Sequence, residues 1–378
     1  MMHPPKCLFF KEGYMKYLFF LGHPAHFHLF KNVIETLNKK NDRVFILIKT
    51  KDILEELLQR QGTPYVNTLT RERGDSKAGI ALGVVKRDWR LLKFCLRERP
   101  DIMLGSSTEI SHVGTLLRIP SVIFSEDDVS VIPAFSKLTY PLAHHILSPI
   151  VCDNGKWNAK SIKYEGYHEL AYLHPNHFTP SREVVEQYFP VDKRFFIIRF
   201  AKLTAYHDTG IRGITDGVAE RIIQILEPWG RVFITSERTL PGKFEPYRIA
   251  INPLDIHHVM AFASLYIGDS QTMATEAGVL GTPFIRFNDF IGQIGTLGEL
   301  ENKYQLGYGI RPDNTEALFK KIEELVNMEN LKSVFAVRRK AMLKDKIDVA
   351  QFFTWFIEQY PESVQIMRDD PDMQYSFR

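Results

Sequence analysis

Three histidines lie within six residues of the segment Gly22–His28, directly after an apolar run. Histidine titrates near neutral pH, so it can act as a general base or donate a hydrogen bond to a phosphate. Gly22 allows the backbone to approach a ligand closely. We predict a substrate loop in which Gly22 and His23 contact the ligand and His26 is the base. A plain surface turn is the alternative, and zinc is disfavoured because no carboxylate or thiol follows at ligand spacing.

The segment Asp269–Pro283 reads as a polar turn after a strand, then a helix, a glycine stop and another strand. Ser270 or Thr272 can cap this helix, and its first N–H groups can hold a diphosphate. Glu276 lies about one helical turn further on, where a carboxylate can accept hydrogen bonds from both ribose hydroxyls. A solvated helix residue is the alternative for Glu276. The predicted nucleotide-sugar contacts are therefore Asp269, Ser270, Gln271, Thr272 and Glu276.

Charged side chains follow several other predicted strands. Glu126 opens an acidic run after one strand, and we predict an acid/base role for it, with a solvated turn as the alternative. Arg199 and Lys202 follow the first strand of the second half, where a cation can neutralise a leaving diphosphate without a metal. Arg238 is a similar candidate after the next strand. The pair His257–His258 begins a helix and is predicted to lie on the surface.

Most predicted strands are continuous apolar runs that alternate with helices, which is typical of parallel sheets buried on both faces. From Ser125 to Pro190 this pattern weakens, and we interpret that stretch as the end of one domain and a linker. The predicted fold is α/β, with two Rossmann-like doubly wound parallel-sheet domains facing a cleft. The predicted parts are domains at 15–185 and 190–345, a helix at 346–360 that packs back on the first domain, and loose termini at 1–14 and 361–378.

The composition excludes several classes of protein. The formal charge of +3 is too small to indicate nucleic-acid binding, and the three cysteines form no CxxC pair. No apolar stretch is long enough to span a membrane. We expect no cofactor and no metal, and a cytoplasmic protein, with peripheral association at the inner membrane face as an alternative. The sequence leaves a homo-oligomer open.

Two resemblances rest on these motifs. Asp269 to Pro283 resembles the donor-sugar motif of GT-B proteins, including UDP-N-acetylglucosamine 2-epimerases and the peptidoglycan N-acetylglucosaminyltransferase, with Gln271-Thr272 in place of the usual Gly-Gly or Gly-Ala. In those proteins the turn binds the diphosphate and the following Glu binds the ribose. The Gly22–His26 segment, the acidic run at 125–128, Leu138–Ala143 and Thr235–Arg238 together resemble the uncharacterised family called domain of unknown function 354.

The resemblance implies a GT-B fold and an enzyme that uses a nucleotide-diphosphate sugar. The epimerase pattern is incomplete, because its Gly-Asp-Thr motif is replaced by Gly105-Ser106-Ser107 and its paired glutamates are absent from Ile132–Leu142. We therefore predict a glycosyltransferase of surface polysaccharide or glycolipid biosynthesis with a saccharide or lipid-linked acceptor. The alternatives are a UDP-N-acetylglucosamine 2-epimerase-like enzyme and a non-catalytic nucleotide-sugar-binding protein.

Overall fold

The computed structural model describes residues 14–40, 42–50, 52–69, 77–201 and 212–378. Lys202, one of the predicted ligand contacts, lies outside these ranges. By packing, the chain divides into two compact units. The first comprises residues 1–124 and 138–146, and the second comprises residues 125–137 and 147–378.

A seven-stranded sheet is built from the first half of the chain, in the order β3-β2-β1-β4-β5-β6-β7. The strands are β1 Lys16–Leu21, β2 Arg43–Lys49, β3 Val66–Leu69, β4 Ile102–Gly105, β5 Ser121–Phe124, β6 His145–Pro149 and β7 Ser161–Tyr164. The helices here are α1 Pro24–Lys39, α2 Leu54–Arg60, α3 Lys77–Glu98, α4 Thr108–Leu117, α5 Pro133–Thr139, α6 Leu170–Leu173 and α7 Arg182–Glu186. Strand order reverses between β1 and β4, which are parallel neighbours.

A five-stranded parallel sheet follows, in the order β12-β11-β10-β8-β9. Its elements are β8 Phe195–Phe200, α8 Asp216–Leu226, β9 Arg231–Ser236, α9 Ile256–Phe262, β10 Leu265–Gly268, α10 Gln271–Leu280, β11 Phe284–Phe287, α11 Gly295–Asn302 and β12 Gly307–Ile310. The helices α12 Thr315–Val326, α13 Leu331–Asp345, α14 Val349–Glu358 and α15 Glu362–Asp369 complete the chain. The two doubly wound parallel α/β sheets confirm the predicted fold class, and in this second sheet the strand order reverses between β8 and β10.

Buried aromatic side chains explain where α14 packs. Phe352 and Phe353 lie against the ring of Tyr164 on β7, with ring centroids 5.8 and 5.1 Å away. All three side chains are inaccessible to solvent. Tyr164 belongs to the stretch that the sequence indicates as the first domain, so α14 packs on residues of that stretch.

The stretch from Ser125 to Pro190, which we interpreted as the end of one domain and a linker, contains α5, β6, β7, α6 and α7. One sequence prediction is wrong. The tail 361–378 is not loose, because α15 and a 3₁₀ segment pack there through the buried side chains of Val364, Met367 and Gln374. The Gln374 amide oxygen also accepts a hydrogen bond from the backbone N–H of Glu165 at 2.6 Å. The helix α15 was not predicted, because the acidic residues of this tail suggested an unpacked segment.

Candidate functional site

The start of α10 has the form of an anion site. Gly268 ends β10 and is adjacent in register to Arg199 on β8, so α10 begins at the point where the strand order of the second sheet reverses. Ligands of open α/β sheets bind beyond the carboxyl ends of the strands at such a point. The Ser270 hydroxyl caps the helix by accepting from the Met273 N–H at 3.5 Å. Residues 270–273 are half-exposed while 274–280 are buried, so the first turn is the accessible end of the helix, and its first N–H groups have no partner within the helix.

Gln271 is oriented by two buried donors. Its Oε1 accepts from Nη1 of Arg286 at 3.0 Å and from Nδ2 of Asn288 at 3.3 Å. The Asn288 amide is itself fixed, because Oδ1 accepts from the Phe290 N–H and Nδ2 donates to the Asp269 carbonyl. Arginine has only donors, so the acceptor oxygen of Gln271 must face it. The Nε2 group therefore points away from this pair and makes no hydrogen bond to a described residue.

Asp269 and Arg286 support the turn from inside. The Asp269 carboxylate accepts from the backbone N–H groups of Ala201 at 2.6 Å and Ile214 at 3.2 Å. Burial raises the pKa of Asp269 to about 6. Arg286 is fully buried and ion-paired with Glu301 at 3.0 Å. Both side chains hold the strand ends together, so the predicted ligand contact of Asp269 has no exposed carboxylate to use.

Glu276 lies in the interior of the second unit. Its Oε1 accepts from the Tyr172 hydroxyl at 2.8 Å and from Nε2 of His257 at 2.9 Å. The three residues are each less than 5% exposed. The predicted surface position of His257 is therefore wrong, whereas His258 binds the backbone N–H of Ser181 at 3.0 Å. A ribose can reach Glu276 only at the other carboxylate oxygen or after the side chain moves.

Two arginines lie where β8 and β9 end. Arg199 donates from Nη1 to the Thr235 hydroxyl at 2.8 Å, and from Nη2 to Glu237. Arg238 donates to the carbonyl of Ile214 at 2.6 Å, and its guanidinium lies 4.5 Å from the ring centre of Phe200. Arg238 also acts electrostatically on Asp269. The structure thus brings two of the predicted cations to one edge of the second sheet, although their side chains already have protein partners.

The acidic run after β5 separates into three different roles. Asp127 is exposed, and Asp128 is buried where it accepts from the N–H groups of Asp153 and Gly295, both at 2.7 Å. Glu126 is half-buried, and its Oε1 accepts from the His168 N–H at 2.8 Å. Burial raises the pKa of Glu126 to about 8, with a smaller contribution from the charge of Asp127.

The Glu126 carboxyl is hydrogen-bonded to that of Glu169, which precedes α6. Glu169, His168 and Tyr172 were not predicted as site residues, because they fall in the stretch that we interpreted as the end of one domain and a linker. A local signal was present: Glu169 directly precedes the apolar segment Leu170–Leu173, and Tyr172 lies within it. Spacing alone did not connect them with Glu126 or Glu276.

The histidine loop is part of the first unit. His23 caps α1, because its Nδ1 accepts from the Ala25 N–H at 3.2 Å. Nδ1 of His26 accepts from the Gly22 N–H at 3.1 Å, so this nitrogen carries no proton. The loop follows β1, at the reversal point of the first sheet. There Gly105 ends β4 with a φ of +146°, and a Cβ at that position would lie 2.4 Å from the Phe20 carbonyl.

Two features are absent from the described ranges. No cluster of three or more His, Cys, Asp or Glu side chains there has the arrangement to hold a metal ion. No described helix has both the length and the apolar character that a membrane crossing requires.

The chain belongs to the family described as protein of unknown function DUF354, whose model matches residues 18–290. No curated protein matches the chain. Among solved structures it is similar to Staphylococcus aureus MnaA with UDP, with a TM-score of 0.65, 13% identity, and 93% of this chain and 98% of that chain covered.

It is also similar to the UDP-GlcNAc 2-epimerase from Neisseria meningitidis bound to UDP-GlcNAc, with a TM-score of 0.56, 16% identity, and 87% and 100% covered. The spinosyn rhamnosyltransferase SpnG with thymidine diphosphate is similar at a TM-score of 0.60 and 14% identity, with 90% and 99% covered. At these identities the likeness shows the fold, which is GT-B-like.

Proposed function

From a GT-B-like fold in a family without an assigned reaction, we propose that this chain is a glycosyltransferase whose donor is a nucleotide-diphosphate sugar. The observation that carries the proposal is the half-exposed start of α10, which lies at a strand-order reversal. There Ser270 caps the helix, and the Nε2 group of Gln271 points away from Arg286 and Asn288. A diphosphate supplies the negative charge that such a terminus favours. We place the reaction in surface polysaccharide or glycolipid biosynthesis.

In this proposal the diphosphate lies against Ser270, Gln271 and Thr272. The Gln271 amide replaces a contact that a glycine-containing turn makes with its backbone alone. Arg199, which is adjacent in register to Gly268, neutralises the charge of the leaving group. Glu126 is linked to α10 through the protein interior, because both Glu126 and the α10 residue Glu276 raise the pKa of Glu169.

Glu126 is the proposed general base. Its carboxylate takes the proton of the acceptor hydroxyl while that oxygen forms a bond to the anomeric carbon of the donor. The bond from this carbon to the diphosphate breaks, and the nucleoside diphosphate leaves with the electron pair. A base works best when its pKa is near the working pH, which the pKa of about 8 for Glu126 satisfies.

Thermal unfolding with a panel of nucleotide diphosphates and nucleotide sugars tests the donor site. A ligand at about 100 times its dissociation constant stabilises the folded protein by about 2.7 kcal/mol, which raises the unfolding temperature measurably. Release of nucleoside diphosphate in the presence of an acceptor extract then tests transfer. Calorimetry that detects no binding of any panel member would refute the proposal.

A 2-epimerase activity is the second candidate, and one observation favours it. The Glu126 carboxyl, whose pKa is raised to about 8 by burial, suits the removal and return of a proton at a sugar carbon. This candidate predicts that UDP-N-acetylglucosamine is converted to its 2-epimer with no acceptor present. NMR of such an incubation distinguishes the two activities. A new anomeric signal without acceptor favours the epimerase. A donor that stays unchanged alone and is consumed only when acceptor is added favours transfer.

A further inference from the structure

Glu169 is an interior carboxyl group with an unusual environment. It is 3% exposed, and its Oε2 is buried without a partner that donates a hydrogen bond among the described residues. An ionised carboxylate in such a place loses its hydration with nothing to replace it. The residue therefore stays neutral, and burial raises its pKa well above the usual range, with the charges of Glu126 and Glu276 adding to the effect.

The contact between Glu169 and Glu126 requires a proton. Two ionised carboxylates have four acceptor oxygens and no donor, so they repel each other at hydrogen-bonding distance. Glu126 already accepts from the His168 N–H at 2.8 Å, and it is the more exposed of the two. The proton therefore resides on Glu169, and its O–H donates to the Glu126 carboxylate.

We propose that Glu169 is a permanently protonated positioning residue that donates a hydrogen bond to Glu126, so that Glu126 alone exchanges a proton with the substrate. The assignment of Glu126 as the exchanging group rests on the proposed function. The hydrogen bond fixes the direction of the Glu126 carboxylate and stabilises its ionised form. In the transfer reaction this form accepts the hydroxyl proton, and in an epimerisation it accepts a proton from a C–H bond.

The groups around the pair leave the proton on Glu169. His168 has its ring Nδ1 3.3 Å from Glu126 Oε2, but burial lowers the pKa of His168 to about 3, so this ring supplies no positive charge near neutral pH. Phe353 of α14 packs on that ring with centroids 6.4 Å apart. Cys152 donates to the backbone carbonyl of Glu126, and burial raises the thiol's pKa well above its usual range.

The remaining neighbours are the Tyr164 phenol on β7, Asp127 beside Glu126, and Glu276 with Tyr172 on the side of α10. Both tyrosines are buried, which raises the pKa of each well above its usual range, so they stay neutral. The charge of Asp127 raises the pKa of Glu126, and the charge of Glu276 raises the pKa of Glu169. Their charge opposes the loss of a second proton from the pair.

Carbon-13 NMR of ligand-free protein labelled at the glutamate side-chain carboxyl tests the proposal without any nucleotide. The Glu126 and Glu169 signals are assigned by their loss in Glu126→Gln and Glu169→Gln. From about pH 5 to about pH 10 we expect the Glu169 signal to remain at its protonated position while Glu126 titrates. Glu169→Met removes the donor, and we expect Glu126 to hold its proton about tenfold more tightly. Glu169→Gln keeps a donor and restores the wild-type midpoint.

The exposed Glu323→Gln is the matched control and leaves the Glu126 midpoint unchanged. Titration of Glu169 within this range, or an equal Glu126 midpoint in wild type and Glu169→Met, overturns the proposal. If Glu169→Met does not fold, the wild-type signals decide alone. Because no ligand is added, a failure here is separate from a failure of the proposed function, which is judged by nucleotide binding.

Discussion

Replacing Gln271 by glutamate separates the two halves of its amide. The acceptor oxygen is retained, so Nη1 of Arg286 and Nδ2 of Asn288 keep their partner. The outward NH₂ group becomes an oxygen, which removes a donor and adds a negative charge at the proposed diphosphate site. We therefore expect unchanged or slightly higher stability with weaker nucleotide binding, a combination that a purely structural role of Gln271 does not produce.

The size of the effect follows from charge and distance. Two unit charges about 4 Å apart interact by about 4 kcal/mol at an effective dielectric constant of about 20. Gln271 is half-exposed, so solvent screening reduces this to about 2 kcal/mol. The lost hydrogen bond to a charged group adds about 1.5 kcal/mol. The total of about 3.5 kcal/mol corresponds to a dissociation constant raised by roughly 300-fold.

Isothermal calorimetry with UDP measures this change, and Gln271→Ala provides an intermediate case that loses the donor without adding charge. The control is Gln293→Ala, since Gln293 is an exposed glutamine on the nearby loop whose side chain donates to the Asp289 carbonyl. The nucleoside uridine, which has no phosphate, should bind wild type and Gln271→Glu equally. Equal UDP affinity of wild type and Gln271→Glu would show that the amide does not face the diphosphate.

Three further predictions concern the buried groups. Tyr172→Phe removes a hydrogen bond to the buried Glu276 and should lower the free energy of unfolding by about 2 kcal/mol in urea titrations, whereas Tyr247→Phe, which loses a surface hydrogen bond to a carboxylate, should change it by less than about 0.5 kcal/mol. The folded-state pKa of Glu126 is raised to about 8, so the folded state keeps a proton that the unfolded chain releases near pH 4.5. The free energy of unfolding of the wild type should therefore decrease as the pH rises from about 4.5 to about 8, and the same decrease in Glu126→Gln would contradict this. The Asp348 carboxylate has its pKa lowered to about 2 by its hydrogen bonds; its contribution is present above about pH 4 and is lost as pH falls towards 2, so the stability difference between wild type and Asp348→Asn should close on acidification.

The sheets could be predicted from the sequence because most of their strands are short apolar runs of consecutive residues. Runs such as Lys16–Leu21 and Phe195–Phe200 are apolar along nearly their whole length, as strands covered on both faces must be. The capped start of α10 was also predictable, since Ser270 follows a strand and precedes a helical pattern. By contrast, β12 was missed because Gly307 and Gly309 interrupt its short sequence and leave no apolar run.

The interior polar contacts were not predictable, because each joins residues that are distant in sequence. Tyr172 and Glu276 are 104 residues apart, and the His168 N–H that binds Glu126 is 42 residues from it. Helical or strand periodicity relates only residues within a few positions of each other. For that reason the sequence predicted His257 on the surface and did not predict its buried hydrogen bond to Glu276.

The cost of burying Glu169 indicates why the residue is there. A neutral carboxyl group taken out of water without full hydrogen bonding costs about 1–3 kcal/mol, and apolar residues of similar size in such positions are often neutral or stabilising. We therefore expect Glu169→Met to unfold at a urea concentration equal to or higher than that of wild type, while it alters the proton affinity of Glu126. Two-state urea titrations followed by circular dichroism measure this, with Glu323→Gln as the reference. A loss of more than about 2 kcal/mol in the free energy of unfolding of Glu169→Met would instead show that Glu169 stabilises the fold. When a residue serves chemistry at the expense of stability, removing its polar group makes the protein more stable.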